Sequence, residues 1–297
     1  MNARGFIYFI IPCLIWGSTW YVIKFQIGEV DPMLSVGYRF LIAGILILLY
    51  CLLKGLPLKF NSRAHVFIAL QGLCLFGFNY WFVYMAEEEL TSALVAVAFS
   101  TLIFMNIIFN RLILKGPIET KVLAGAAIGF TGVVLLFKNE LQFNFTTESI
   151  IAIMFCFASV ALASMGNILS ALNQKNKIPL IQTNALGMLY GSIAMIMFSL
   201  LSGKDIRFDS QSPYVLSLSY LAIFGSVVAF SAYLKMLGEI GPDKAGYVIL
   251  VVPLVALLIS TLFENYHWNS YSASGAILLI MGNAITLRKA QKKKVPA

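Results

Sequence analysis

Tyr84-Met85-Ala86-Glu87 opens a stretch that this chain contains twice. Glu88-Glu89-Leu90-Thr91 follows, and then Ser92-Ala93-Leu94-Val95-Ala96 leads into an apolar run ending near Asn110. The second copy reads Met236-Leu237-Gly238-Glu239, Ile240-Gly241-Pro242-Asp243 and Lys244-Ala245-Gly246-Tyr247-Val248, and its apolar run ends near Leu262. At one constant offset Glu87 falls on Glu239, Ala93 on Ala245, Leu102 on Leu254 and Ile107 on Ile259. Each copy is two hydrophobic segments joined by a very short polar hinge. An internal repeat constrains the whole architecture before any local detail does. Further out the match continues piecewise. Pro32 and Gly44 correspond to Pro179 and Gly191, and Gly125, Ala126 and Gly132 to Gly275, Ala276 and Gly282.

The 297 residues are 60% hydrophobic and 11% charged, with a mean hydropathy of +0.85. An ordinary soluble domain is about 25% charged, so lipid is the solvent this composition fits. The apolar runs are too long for buried strands and fit helices that cross about 30 Å of hydrocarbon. Ten such segments are expected, at about 6–24, 33–53, 66–85, 91–110, 118–137, 149–171, 180–201, 213–235, 243–263 and 269–287. The fold class is therefore an all-α membrane protein of ten transmembrane helices. Its two five-helix repeats divide as 1–146 and 147–297, the second ending in a basic tail. Five is an odd number, so the second repeat enters from the opposite face, and the two are inverted about an axis in the membrane plane. Such repeats place a substrate site near the midplane, between the halves.

Lys and Arg set the orientation. One face carries Arg4, then Lys54, Lys59 and Arg63, then Arg111, Lys115 and Lys121, Lys175 and Lys177, Lys235 and Lys244, and the run Arg288, Lys289, Lys292, Lys293 and Lys294. The other face carries only Lys24, Lys138, Lys204 and Arg207. A bacterial-type inner-membrane protein with both termini cytoplasmic is expected. The net charge of +8 follows from this bias, and the terminal basic run reads as an anchor to anionic headgroups. No concentrated basic face suggests a nucleic-acid partner. The lipid bilayer is the expected partner, with a small-molecule substrate. A homodimer remains open, through the Gly125-x-x-x-Gly129 face.

No catalytic, metal or cofactor constellation is visible. Cys13, Cys51, Cys74 and Cys156 lie in or beside apolar segments without C-x-x-C spacing, and read as packing residues. The two histidines, His65 and His267, lie near segment ends. No enzyme activity, cofactor or metal is expected.

Arg39 is the one charge placed several residues into a segment. It is either a cationic anchor for a substrate carboxylate, or it snorkels outward towards Glu29 and Asp31. Trp16-Gly17-Ser18-Thr19-Trp20 puts two tryptophans on one face of the first segment, with hydroxyls at mid-depth. Asn79, Tyr80 and Tyr84 follow in segment three, and Ser100 and Asn106 in segment four. The second half carries Asn167, Asn184, Tyr190, Tyr233 and Tyr247 at comparable depths. Amides and phenols facing lipid would go unsatisfied, so these should face inward. With Trp16, Thr19, Trp20 and Arg39 they form the expected substrate-binding set, a mildly polar, aromatic cavity for a small amphipathic metabolite. Glu87 and Glu239, in the two hinges, and Pro253, which removes a helix hydrogen bond, are the expected gating residues. No Asp, Glu or His lies deep in a segment, which favours transport without a buried carboxylate relay.

Together these features resemble the drug/metabolite transporter superfamily, and in particular its ten-helix EamA-type members. The resemblance rests on Trp-Gly-Ser-Thr-Trp at 16–20, Tyr-Arg-Phe-Leu at 38–41, the twice-written hinge, Pro253, Phe263-Glu264 and the glycine-patterned closing helices. It implies a basket whose cavity is lined by helices 1, 3, 4, 6, 8 and 9. Helices 5 and 10 would lie behind, and 2 and 7 would assist gating. It also implies alternating access, with export of amino acids or related metabolites as the first expectation, on the pattern of aromatic amino-acid exporters. An importer of a nucleoside-like or S-adenosyl metabolite is the alternative within transport. A non-transporting scaffold or receptor is the alternative from another class.

Overall fold

The computed structural model describes residues 3–90, 92–138, 146–263 and 268–287. The terminal basic run, Glu264, His267 and Thr91 lie outside the described residues, as does the side chain of Trp20. Every regular element among the described residues is helical.

The helices are α1 (Ala3–Ile23), α2 (Pro32–Leu53), α3 (Ser62–Glu87), α4 (Ser92–Ser100 and Leu102–Phe109, closed by a π-turn at Asn110–Leu114) and α5 (Thr120–Leu136). The second repeat supplies α6 (Thr147–Lys175), α7 (Leu180–Leu201), α8 (Ser212–Ile240), α9 (Pro242–Ala245 and Tyr247–Phe263) and α10 (Ser270–Leu287). Eight are long and apolar enough to span a bilayer, and Thr120–Leu136 and Ser270–Ile285 are shorter apolar helices. Leu53 and Leu201 are more than four-fifths exposed, which lipid explains and water does not. The chain is an all-α membrane protein of ten transmembrane helices in two inverted five-helix repeats.

Local chemistry sets the ends. The Asp31 side chain accepts the Met33 N–H, and Pro32 fills the first helical position of α2. Asn61 caps Ala64 at the start of α3, so that helix begins several residues before the apolar run and His65 lies inside it. Thr146 caps Ser149 at the start of α6. Two interior breaks were not visible as interruptions in the sequence. α3 contains a π-turn at Cys74–Phe78, and α8 contains one at Leu221–Val228. They occupy equivalent places in the two repeats, each around a glycine, Gly77 and Gly225. π-turns of this kind free carbonyls and frequently mark functional sites.

The repeats interlock. α2 packs against α7 and α5 against α10, each pair joining equivalent helices. α1 packs on α8 and α9 of the other repeat, and α6 packs on α3 and α4. Glycines let these backbones meet. A Cβ built on Gly132 would lie 2.7 Å from the Gly275 carbonyl oxygen, and one on Gly282 would lie 2.6 Å from that of Gly125. The glycine face of α5 is therefore used within the chain, between α5 and α10.

Candidate functional site

Between the repeats lies a cavity of about 100 Å³. It is lined by Trp16, Thr19 and Ile23 of α1; Leu75, Asn79, Tyr80 and Val83 of α3; Phe99 and Leu102 of α4; Ala163 and Asn167 of α6; Phe230 and Tyr233 of α8; and Ile249, Val252 and Pro253 of α9. Each repeat contributes three helices, and they are the six that the family resemblance implied. Among the described residues, none of α5 or α10 lines the cavity.

Aromatic packing shapes one side. Phe230 sits edge-on to Trp16 at 4.9 Å and to Phe76 at 5.0 Å between ring centroids. Tyr233 lies 5.1 Å from Trp16. The Trp16 indole N–H donates to the Gly225 carbonyl at 3.1 Å, so its polar edge is spent on the α8 π-turn and its faces are left for contact. The Thr19 hydroxyl donates to the Trp16 carbonyl. The Ser159 hydroxyl donates to Asn79 Oδ1 at 2.6 Å and fixes that amide. Asn167 Nδ2 donates to the Tyr233 hydroxyl at 3.0 Å, while Asn167 Oδ1 is buried with no hydrogen-bond partner.

Arg39 stands behind this wall and does not snorkel. It is 1% exposed. Its Nε donates to the Ser226 hydroxyl at 2.9 Å, and that hydroxyl donates to the Leu221 carbonyl within the α8 π-turn. The guanidinium carbon lies 4.7 Å from the Tyr80 ring centroid and 5.2 Å from that of Phe40. Nη1 has no hydrogen-bond partner. Asp31, which was expected to draw Arg39 outward, faces Lys204 instead, at 3.7 Å.

The other expected residues divide between the cavity and its surroundings. Trp16, Thr19, Asn79, Tyr80, Asn167, Tyr233 and Pro253 line it. Tyr84 is buried in the core beside it. The Ser100 hydroxyl donates back to the Val97 carbonyl of its own helix. Tyr247 donates to the Val122 carbonyl of α5. Tyr190 meets His65 Nδ1 at 2.7 Å across α7 and α3. Asn184 is fully buried in α7, with neither amide atom hydrogen-bonded. Sequence reasoning missed the apolar wall, including Phe99, Ile249 and Phe230, as well as Ser159 and Ser226. Apolar residues in a membrane helix carry no mark that separates cavity, core and lipid contact.

On the face where α1 begins and α10 ends, the α8–α9 hinge packs against α4 and α6. Gly241 takes φ +87, a conformation that glycine adopts without strain. The Pro242 carbonyl accepts from Asn106 Nδ2 at 3.0 Å, and Asn106 Oδ1 accepts from Asn167 Nδ2 at 3.4 Å. Asp243 accepts from Asn110 Nδ2 at 2.9 Å, and Lys244 pairs with Glu119 at 2.7 Å. Asn106 thus ties α4 to the α8–α9 hinge and to α6. Glu239 is exposed and lies 3.9 Å from Lys235 on its own helix, at the rim of a polar crevice of about 600 Å³. On the opposite face Glu87 ends α3, half-buried beside an apolar cluster of Val83, Ala86, Leu90, Val95, Ala152 and Cys156. Among the described residues no group of three His, Cys, Asp or Glu is placed to hold a metal ion.

A model of the EamA-like transporter family matches residues 3–138 and 150–288. The inner membrane transporter YedA of Escherichia coli K12 is 30% identical over 252 residues, which cover 84% of this chain and 79% of that protein. A transporter of Archaeoglobus fulgidus is 27% identical over 297 residues, covering 97% and 99%. Protein PagO of Salmonella typhimurium is 23% identical over 283 residues, covering 95% and 92%. A solved structure superposes with a TM-score of 0.80 at 17% identity, covering 97% of both chains, which shows a shared fold.

Proposed function

The chain belongs to the EamA-like transporter family, and from that premise we propose that it exports amino acids or closely related small amphipathic metabolites by alternating access. The observation that carries this reading is the cavity between the repeats, walled equally by three helices from each and by aromatic and amide side chains. The repeats, 1–146 and 147–297, rock about this site so that it opens to one face at a time. The charge bias supports a cytoplasmic location for both termini. On that orientation the hinge at 239–243 and its Asn106 latch form the inner gate, and the hinge at 87–91 forms the outer one. Asn167, Asn79 and Tyr233 supply hydrogen bonds to the substrate, Trp16 and Tyr80 supply aromatic faces, and Arg39 supplies positive charge.

Reconstitution into liposomes with a panel of labelled amino acids and nucleosides tests the reading. Saturable amino-acid flux that empty liposomes lack is expected, without dependence on a pH gradient. Flux of nucleosides alone would overturn the substrate assignment, and stimulation by the gradient would overturn uncoupled transport.

A further inference from the structure

We propose that the site selects a carboxylate at Arg39, just behind the cavity wall, and a hydrogen-bond donor at Asn167 within it, and leaves the amine of an amino acid unread. This rests on the transport reading above and names what its site recognises.

Two buried side chains in and against the cavity wall each have an atom without a partner. One is the cation. Arg39 uses Nε on Ser226 and its flat faces on Tyr80 and Phe40, yet Nη1 donates to nothing. Among the described residues no carboxylate pairs with it. A cation this deeply buried is costly without a counter-charge, and an unmade bond to a charged group costs more than an unmade neutral one. A substrate carboxylate supplies both the charge and the acceptor. The other is Asn167. Its Nδ2 is held by Tyr233, so the amide orientation places Oδ1 as the free acceptor, in a residue that lines the cavity.

The placement of these groups along α8 argues against a single α-amino acid headgroup as the partner of both. The Arg39 guanidinium lies at the level of Gly225, where an added Cβ would be 3.1 Å from Nη2. Asn167 lies at the level of Tyr233. Eight residues of helix separate those levels, on the order of 10 Å along α8. An α-amino acid carries its ammonium and carboxylate on one carbon and cannot reach both ends. Nor does the cavity offer the ammonium a carboxylate, because none of the described residues that line it is acidic. The ligand class that satisfies both orphan groups is an organic monocarboxylate with an apolar or aromatic body and a hydroxyl or N–H at its far end. Phe230, Trp16 and Ile249 form the wall along which that body lies.

Five probes separate the contributions: phenylalanine, tyrosine, phenylpropionate, para-hydroxyphenylpropionate and tyramine. Each is measured as a competitor of labelled tyrosine counterflow and by thermal stabilisation of the purified protein. The acids without an amine are expected to bind at least as tightly as their amino-acid counterparts, since no group reads the amine and burying an unpaired ammonium is costly. The hydroxyl is expected to strengthen binding roughly three- to tenfold, the factor of one ordinary hydrogen bond, and Asn167→Leu is expected to erase that gain. Tyramine, lacking the carboxylate, is expected to be weaker by about ten- to a hundredfold. Arg39→Lys, which keeps the charge and loses the fork, is expected to retain part of that discrimination. The panel on the unaltered protein decides the matter even if a variant fails to fold. A clear loss of binding in the amine-free acids overturns this inference and leaves amino-acid transport standing. Binding of none of the five overturns both.

Discussion

Gly72→Val is expected to remove most of the folded protein from the membrane. A Cβ built on Gly72 of α3 would lie 2.1 Å from the carbonyl oxygen of Gly187 in α7. No rotamer relieves a clash between a Cβ and another helix's backbone. The two helices must separate, and Gly191, itself packed against the Gly72 carbonyl and Phe76, must move with them. Overpacking of this kind costs about 3 kcal/mol at the upper end of its usual range. Gly77→Ala in the same helix is the control, because its nearest neighbour would be 3.5 Å away, an ordinary contact. Thermal denaturation in detergent, followed by the loss of monodisperse protein, should separate the two variants. Equal stability would mean that α3 and α7 do not approach as closely as described.

Asn106→Leu is expected to unlatch the inner gate proposed at the α8–α9 hinge. Asn106 is fully buried, bonds the Pro242 carbonyl and accepts from Asn167. Leucine of similar size leaves that carbonyl without its amide donor in the closed state and takes one of two acceptors from Asn167 Nδ2, which keeps Tyr233, and water reaches the carbonyl when the hinge lifts. Leaving a buried polar group unpaired costs about 2 kcal/mol, which corresponds to a roughly thirtyfold shift of the opening equilibrium. A cysteine introduced at Ala163 on the cavity wall reports this shift. Its labelling by an impermeant maleimide, applied from the hinge side, should rise by that factor. Unchanged labelling would remove Asn106 from the gate.

Much of the architecture was legible because the membrane imposes it. A span needs about twenty apolar residues, so the ten segments appear directly in the sequence. The inversion followed from the duplicated hinge and an odd helix count. The site was less legible. A helix that is apolar all round does not show which face is the cavity, so Phe99 and Ile249 looked like any lipid-facing residue. Polar residues do turn inward, but the interior contains packing interfaces as well as the cavity. Tyr247 and Ser100 satisfy themselves on carbonyls, and Tyr190 pairs with His65, away from the cavity wall. Arg39 looked able to reach Asp31 because sequence distance says nothing of the Ser226 hydroxyl, which comes from the other repeat. The π-turns left only faint traces, Gly77 and Gly225 at matching places in α3 and α8.

Alternating access as proposed requires the two repeats to part and close at the α8–α9 hinge. Asn110 of α4 and Asp243 of α9 meet side chain to side chain across that junction at 2.9 Å. Native Cys13, Cys51 and Cys156 are buried and free, so they compete little with thiols introduced there. The decisive measurement is counterflow of a labelled amino acid by the Asn110→Cys, Asp243→Cys protein in liposomes, before and after the two thiols are joined by oxidation or a short reducible linker. Flux is predicted to fall to that of empty liposomes on cross-linking and to return on reduction. Full flux through the cross-linked protein would contradict alternating access at this hinge.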